Sequence, residues 1–170
     1  MRSITILALA AVAFWSTPAP ATAQRADSGE VVEYGIIKPM SKPKDVKDAN
    51  ISTGSYTNYD ELEITDETST IPAKDGVVFG TSVKISGSPR GETAKLKVVW
   101  IYPEPGLKNP DTGVTKMRDE FPGGHTLGST QHYYWTLGEP WTRVLGKWTF
   151  QLWQGDRRLV QKTFELVRPK

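Results

Sequence analysis

The stretch GKWTFQLWQGDRRLVQKTFELV, residues 146–167, decides the fold because apolar and polar side chains alternate along both of its halves. Apolar residues occupy every second position from Trp148 to Leu152, which places them on one face of an extended strand. Gly155-Asp156 then provides the turn chemistry of a β-hairpin. Leu159 is out of phase with the returning strand, which predicts a β-bulge beside the turn. The chain is therefore expected to close on an antiparallel hairpin with one apolar face.

The same period of two recurs upstream and predicts strands over 31–38, 77–86, 94–102 and 131–137. Weaker patterns predict short strands over 60–70 and 114–117. No helix of more than a turn or two and no internal repeat is predicted. The expected fold class is an all-β, Ig-like antiparallel β-sandwich of about seven to eight strands with long loops.

Two segments lack strand patterning. Residues 39–57 are rich in Pro, Lys, Asp, Asn, Gly and Ser and are expected to form a long loop or a locally disordered insertion. Residues 107–129 contain several Pro and Gly and are expected to be a long connection around the short strand at 114–117.

The N-terminus has the parts of a secretory signal peptide. Met1-Arg2 is positively charged, residues 4–15 are apolar, and Ala21-Thr22-Ala23 is a small-x-small cleavage site. The apolar run is shorter than the roughly 20 residues that span a bilayer, so no stable membrane insertion is expected after cleavage. The predicted organisation is a signal peptide at 1–23, a flexible segment at 24–30 and a single Ig-like domain at 31–170. The expected location is periplasmic or secreted.

Composition excludes several classes of function. Arg2 is the one charged residue of 1–23, so the mature chain has 20 Lys and Arg against 19 Asp and Glu. This near-neutral balance argues against a nucleic-acid partner, which requires a clustered basic surface. The chain has no cysteine, which excludes disulfides, thiolate metal sites and a cysteine nucleophile. Its stability must come from its core, to which aromatic residues contribute: the full chain has six Trp, six Tyr and five Phe, of which Phe14 and Trp15 lie in 1–23.

His125 and His132 are the two histidines of the chain and the candidate metal ligands. Asp119 and Glu120 are near enough in sequence to complete a two-histidine, one-carboxylate site. The spacing matches no defined zinc motif, and two independent histidines are the alternative. No catalytic residue, metal or cofactor is assigned.

Four aromatic residues are harder to place in a core than the others: Tyr133, Trp135, Trp141 and Trp153. If exposed, they would stack on sugar rings or anchor a protein partner. The alternative is that they cover a second sheet face or pack beneath the long loops.

Several pieces of the sequence together resemble the bacterial domain-of-unknown-function family 3859. They are Tyr34-Gly35-Ile36, IPAKDGVVFG at 71–80, GKWTFQL at 146–152 and KTFELV at 162–167. The resemblance implies an Ig-like sandwich in an exported protein. It implies no activity and carries over no catalytic residue.

The first functional expectation is a non-enzymatic module that binds a protein partner or the cell envelope. A carbohydrate-binding β-sandwich using Tyr133, Trp135, Trp141 and Trp153 is the second. A metal-dependent enzyme centred on His125 and His132 is the third.

The signal peptide gives a first testable prediction. Intact-mass and N-terminal analysis of the protein exported by a bacterial host should show a chain beginning at Gln24, because cleavage follows Ala23. A chain that retains residues 1–23 would contradict it. Replacement of Ala21 and Ala23 by bulky residues is the matched control and should block the cleavage.

Overall fold

The computed structural model describes residues 24–169, a two-sheet sandwich of β-strands. The expected signal peptide at 1–23 lies outside the described residues. Within 24–169 no helix is long and apolar enough to cross a membrane. In chain order the strands are β1 (Arg25–Pro39), β2 (Lys44–Lys47), β3 (Ser55–Asn58), β4 (Leu62–Asp66), β5 (Thr70–Pro72), β6 (Val78–Ser88), β7 (Thr93–Ile101), β8 (Leu107–Lys108), β9 (Thr115–Lys116), β10 (Arg118–Thr126), β11 (Thr130–Thr136), β12 (Gly146–Gln154) and β13 (Arg157–Val167), with a 3₁₀ turn at Pro140–Thr142.

The two sheets have the strand orders β11-β6-β1-β4 and β10-β7-β12-β13-β5. Two separate hairpins, β2–β3 and β8–β9, lie outside them. All pairings are antiparallel except that of β5 with β13. The Ig-like all-β sandwich is confirmed, with nine strands in the two sheets instead of about seven to eight and with one parallel pair.

Phe79 of β6 lies at the centre of the core. Its ring makes edge-to-face contacts with Trp100, Trp148 and Phe164 of the opposite sheet, at centroid separations of 5.9, 5.9 and 5.2 Å. All four rings are buried. Such contacts add about 0.5–1.5 kcal/mol per pair to the free energy of area burial. They join the two sheets through side chains alone, as a chain without cysteine requires.

The closing hairpin has the predicted geometry. Leu152 is opposite Val160, whereas the next residue, Trp153, is opposite Arg158. Leu159 is therefore the extra residue of a β-bulge, and the bulge predicted from its phase is confirmed.

The first strand begins at Arg25, so the flexible segment expected at 24–30 is wrong except at Gln24. Ala26 is fully buried, and its N–H donates to Gln154 Oε1 at 2.9 Å. The polar sequence of this segment concealed the strand, because its outward-facing side chains are charged and its order comes from pairing with β6.

The two predicted loops are also more ordered than expected. Residues 39–57 contain most of the β2–β3 hairpin, and 107–129 contain the nine-residue strand β10. Pro122-Gly123-Gly124 concealed β10, since proline and glycine weaken a strand signal. The expected short strand at 114–117 is present as β9.

Gly80 of β6 allows a close approach of β11. A Cβ atom at this position would lie 2.1 Å from the carbonyl oxygen of Tyr133 and 2.6 Å from Tyr134 Cα. Only a residue without a side chain leaves room for β11 at this register. Gly80 thus determines how closely the edge strand of this sheet is held.

Candidate functional site

A cleft of about 500 Å³ opens on one side of the sandwich. It lies where β10 ends one sheet and β11 ends the other. We call it the edge cleft. Its walls are Phe121-Pro122-Gly123 of β10 and residues 132–136 of β11. Val98 and Trp100 form its floor, and residues of the β2–β3 hairpin form its roof.

The backbone edge of β11 faces this cleft. Five consecutive residues of β11, 132–136, line the cleft. Because neighbouring side chains lie on opposite faces of a strand, the cleft is lined by both faces of β11 and by the backbone edge between them. Leu137 N donates to Val77 O, and in an antiparallel pair every second residue forms such hydrogen bonds with the neighbouring strand. The odd-numbered residues of β11 therefore bond to β6, and the N–H and C=O groups of His132 and Tyr134 point away from the sheet. Neither residue has a backbone partner on that side within the described chain.

The edge of β10 is different. Tyr102 N donates to Met117 O, so the odd-numbered residues of β10 bond to β7 and the even-numbered ones face the free edge. Pro122 is even-numbered, and its missing N–H removes a donor from that edge. Of the two strand edges at the cleft, β11 has the complete set of backbone donors.

Asp119 fixes the tip of the roof. Its carboxylate is fully buried and accepts hydrogen bonds from Ser52 N and Ser52 Oγ, both at 2.6 Å, and from Tyr102 Oη at 2.7 Å. Lys116 Nζ lies 3.4 Å from Asp119 Oδ1, which also accepts the Ser52 Oγ hydrogen bond. Burial, followed by the negative charge of Asp119, raises the pKa of Tyr102 well above its usual value, so that this phenol remains a donor. Ile51, beside Ser52, is buried in the core cluster.

Tyr134 fixes the other end of the roof. Its hydroxyl accepts a hydrogen bond from Tyr59 N at 3.1 Å and lies 3.3 Å from Thr57 O. The rings of Tyr59 and Tyr134 are in tilted contact at 6.0 Å. The β2–β3 hairpin is thus tied to β10 at its tip and to β11 near its base, and it bridges the two sheets.

Two polar atoms of residues that line the cleft have no hydrogen-bond partner within 24–169: Trp135 Nε1 and Thr136 Oγ1. Trp135 is 7% exposed. A buried indole N–H without an acceptor costs free energy, and such groups are uncommon unless a function explains them. Both atoms are buried beside the edge cleft, and each has a donor hydrogen that no group of the described residues accepts.

The charged residues among the cleft lining are all acidic: Asp45, Asp48 and Glu139. We call them the acidic trio. Neither Lys nor Arg belongs to the lining, although the mature chain has slightly more basic than acidic residues. Three lysines lie in or beside the roof. Lys44 is paired with Asp60, and Lys116 is bound to Asn50 O and lies beside Asp119. Lys47 of β2 is exposed and lies outside the cleft lining. The lining also includes the rings of Tyr56, Phe121, Tyr133 and Tyr134.

The structure does not bring the four predicted aromatic residues into one exposed surface. Tyr133 and Trp135 line the edge cleft, but Trp135 is buried against Trp100 and Trp148. Trp141 lies in the 3₁₀ turn, half-buried against the core. Trp153 is on the outer face of the five-stranded sheet, where Lys97 and Arg158 each lie 5.8 Å from its ring centroid.

The two histidines are also apart. His125 is buried between the sheets, with Nε2 3.1 Å from Ser129 O and Nδ1 2.9 Å from Tyr133 Oη. His132 is exposed on the outer face of the four-stranded sheet and contacts Ser82 Oγ at 2.9 Å. Asp119 accepts hydrogen bonds from Ser52 and Tyr102 and does not join the histidines in a metal site. Residues 24–169 contain no group of three or more histidine or acidic side chains able to hold a metal ion.

Comparison with known proteins assigns the chain to a family. The model of a family described as a domain of unknown function, DUF3859, matches residues 26–166. The chain belongs to the DUF3859 family. This DUF3859 domain is similar to the crystal structure of an immunoglobulin-like protein from Pseudomonas aeruginosa. The sequences are 26% identical, the TM-score is 0.56, and the match covers 84% of this chain and 98% of that chain. No curated protein matches the sequence.

Sequence reasoning missed the roof of the edge cleft and its anchor. Tyr133 and Trp135 were identified as binding candidates, whereas Tyr56 and the acidic trio were not. Aliphatic character gives no usable signal here, because Ile51 is buried whereas Val46, equally isolated in the same polar stretch, is exposed. The partner of Ser52 is 67 residues away in sequence, and no local pattern identifies it.

The anchoring role of Asp119 gives a second prediction. Asp119→Asn exchanges a charged acceptor for an amide and weakens three hydrogen bonds, so we expect a loss of about 2 kcal/mol or more in the free energy of unfolding. Urea denaturation followed by tryptophan fluorescence measures it, and amide exchange at Ser52 should accelerate. Glu120→Gln is the matched control, because that residue makes only surface ion pairs and should cost less than about 0.5 kcal/mol. Equal losses would contradict the assignment.

A third prediction concerns pH. Burial lowers the pKa of His125, partly offset by the hydrogen bond to Ser129 O. The unfolded chain therefore takes up a proton first, and the free energy of unfolding should fall as the pH drops below about 6.5, until the lower folded-state pKa is passed. Denaturation at pH 7.5 and 5.5 measures this slope. It should flatten in His125→Gln and persist in His132→Ala, and an unchanged slope in His125→Gln would refute the prediction.

Proposed function

We propose that this DUF3859 domain is an exported, non-enzymatic binding module that holds its ligand in the edge cleft. The observation that carries the proposal is the construction of the cleft. Two free strand edges form its walls, and a hairpin tied at both ends forms its roof. Binding sites are typically concave, apolar in lining and supplied with a few oriented polar groups. The aromatic lining and the acidic trio match this description.

A non-enzymatic role accounts for the polar groups of the interior. Asp119 is surrounded by three hydrogen-bond donors and a lysine, and His125 is held between Tyr133 and Ser129. Each of these groups is held by partners that anchor the fold: Ser52 of the roof for Asp119, and Tyr133 of β11 for His125. Export is supported by the charged start, apolar run and cleavage site of residues 1–23.

A site-specific crosslinking experiment tests the proposal. A photoreactive benzoylphenylalanine replaces Tyr56, which is 43% exposed at the roof of the cleft, in cells that naturally produce the protein. A matched control carries it at Val32, which is 49% exposed on β1 and outside the cleft lining. Irradiation should give a discrete adduct from position 56 that is absent from position 32.

The purified adduct partner provides the second measurement. It should bind the wild-type domain, lose at least tenfold in affinity for Tyr56→Ala, and retain its affinity for Val32→Ala. Identical adducts from both positions, or no adduct from position 56, would refute a binding role for the edge cleft.

A further inference from the structure

Edge strands of β-proteins usually carry features that prevent another chain from pairing with them. The common ones are short length, proline, and charged side chains. The free edges of the two main sheets can be compared on this basis. They belong to β4, β5, β10, β11 and the first half of β1.

All but one of these edges are protected. The strand β4 carries Glu63 and Asp66, and the first half of β1 carries Asp27, Glu30 and Glu33. The strand β5 has three residues and ends in proline. Pro122 interrupts the donors of β10. The exception is β11, whose sequence TQHYYWT contains no proline and no Asp, Glu, Lys or Arg.

We propose that the ligand of the edge cleft is an extended, positively charged segment of a partner protein, which adds to β11 as a fifth strand of that sheet. This inference rests on the proposed function and names the class of ligand. The N–H and C=O groups of His132 and Tyr134 would form the new ladder. Strand addition of this kind derives affinity from backbone hydrogen bonds and specificity from side-chain contacts.

Charge complementarity selects a cationic segment. The acidic trio supplies the only charged side chains of the described cleft lining. Asp45 and Asp48 belong to the β2–β3 hairpin that forms the roof, and Glu139 follows β11 in the chain. A lysine or arginine of the bound strand faces these carboxylates and the rings of Tyr56 and Tyr134. Aromatic faces attract such cations, with the guanidinium group of arginine favoured over the ammonium group.

Selection of random dodecapeptides displayed on phage tests the inference with residues 24–170 as the immobilised target. Enriched peptides should carry a net positive charge, and their synthetic forms should bind more weakly as the salt concentration rises. Enrichment of neutral or acidic peptides alone, or of none, would overturn the inference.

Charge variants measure the contribution of the acidic trio. Asp45→Asn/Asp48→Asn/Glu139→Gln should reduce the affinity for the selected peptides at least tenfold. The amides retain an acceptor for Thr57 Oγ1 and Asn50 N, which Asp45 and Asp48 bind in the structure. The matched control Glu30→Gln/Glu63→Gln/Glu92→Gln removes the same charge from exposed sites outside the cleft and should change affinity less than twofold. Equal effects of the two triple variants would overturn the role of charge.

Proline tests the strand edge. His132→Pro removes an N–H that β6 does not use, so it should abolish strand addition while the sheet persists. His132→Ala loses the same side chain but keeps the N–H, and should bind within threefold of wild type. Should His132→Pro fail to fold, amide exchange on the wild type decides. Peptide binding should protect the N–H groups of His132 and Tyr134, and unchanged exchange at both would overturn the inference.

Failure of this inference is distinguishable from failure of the proposed function. A crosslinked partner at position 56 that proves to be a glycan or lipid would end the peptide assignment and leave the binding role standing. Absence of any adduct at position 56 would end both.

Discussion

Contact between Phe79 and the three rings of the opposite sheet is the interaction on which the domain depends. A sandwich without cysteine has no covalent link between its layers, so side-chain packing must fix their separation and orientation. Edge-to-face geometry suits this purpose, because it restricts how two rings meet more than aliphatic packing does. Trp135 extends the cluster to the edge strand β11 through contacts with Trp100, Tyr102 and Trp148. The wall of the edge cleft is therefore continuous with the core.

Polar interactions shape the rest of the cleft. The roof has few apolar residues, of which Val46 and Tyr56 are exposed and Ile51 is buried. A hairpin of two short strands is marginal in isolation. Its order depends on a buried carboxylate, a charge that is costly inside a protein unless donors surround it. Ser52 and Tyr102 donate hydrogen bonds to Asp119 in this way, which offsets the cost of burying its charge. Because Ser52 belongs to the hairpin, the same hydrogen bonds fix the position of the hairpin.

Local patterns predicted the parts of the fold that local physics determines. The closing hairpin, including its bulge at Leu159, follows from alternation and turn chemistry within 22 residues. The strand β10 could not be predicted because a proline is tolerated in a strand only where its missing N–H faces a free edge. Whether Pro122 faces the free edge depends on how β10 pairs with β7, which the local sequence does not reveal. The sequence identifies aromatic residues of β11 as binding candidates. It does not show which of them are buried, because aromatic residues lie on both faces of this strand and the usual alternation of apolar and polar residues is missing. The acidic trio comes from separate segments that only the folded roof brings together.

The double attachment of the β2–β3 hairpin has a kinetic consequence. A roof tied to both sheets has lost its conformational freedom before any ligand arrives, so association incurs little further ordering cost at the roof. If the cleft binds a ligand as proposed, its roof is already in place and no loop needs to close over that ligand. Differences in affinity among ligands of such a site arise mainly from how slowly they leave. Residence time, more than the rate of capture, is then the property that sequence changes along the roof would tune.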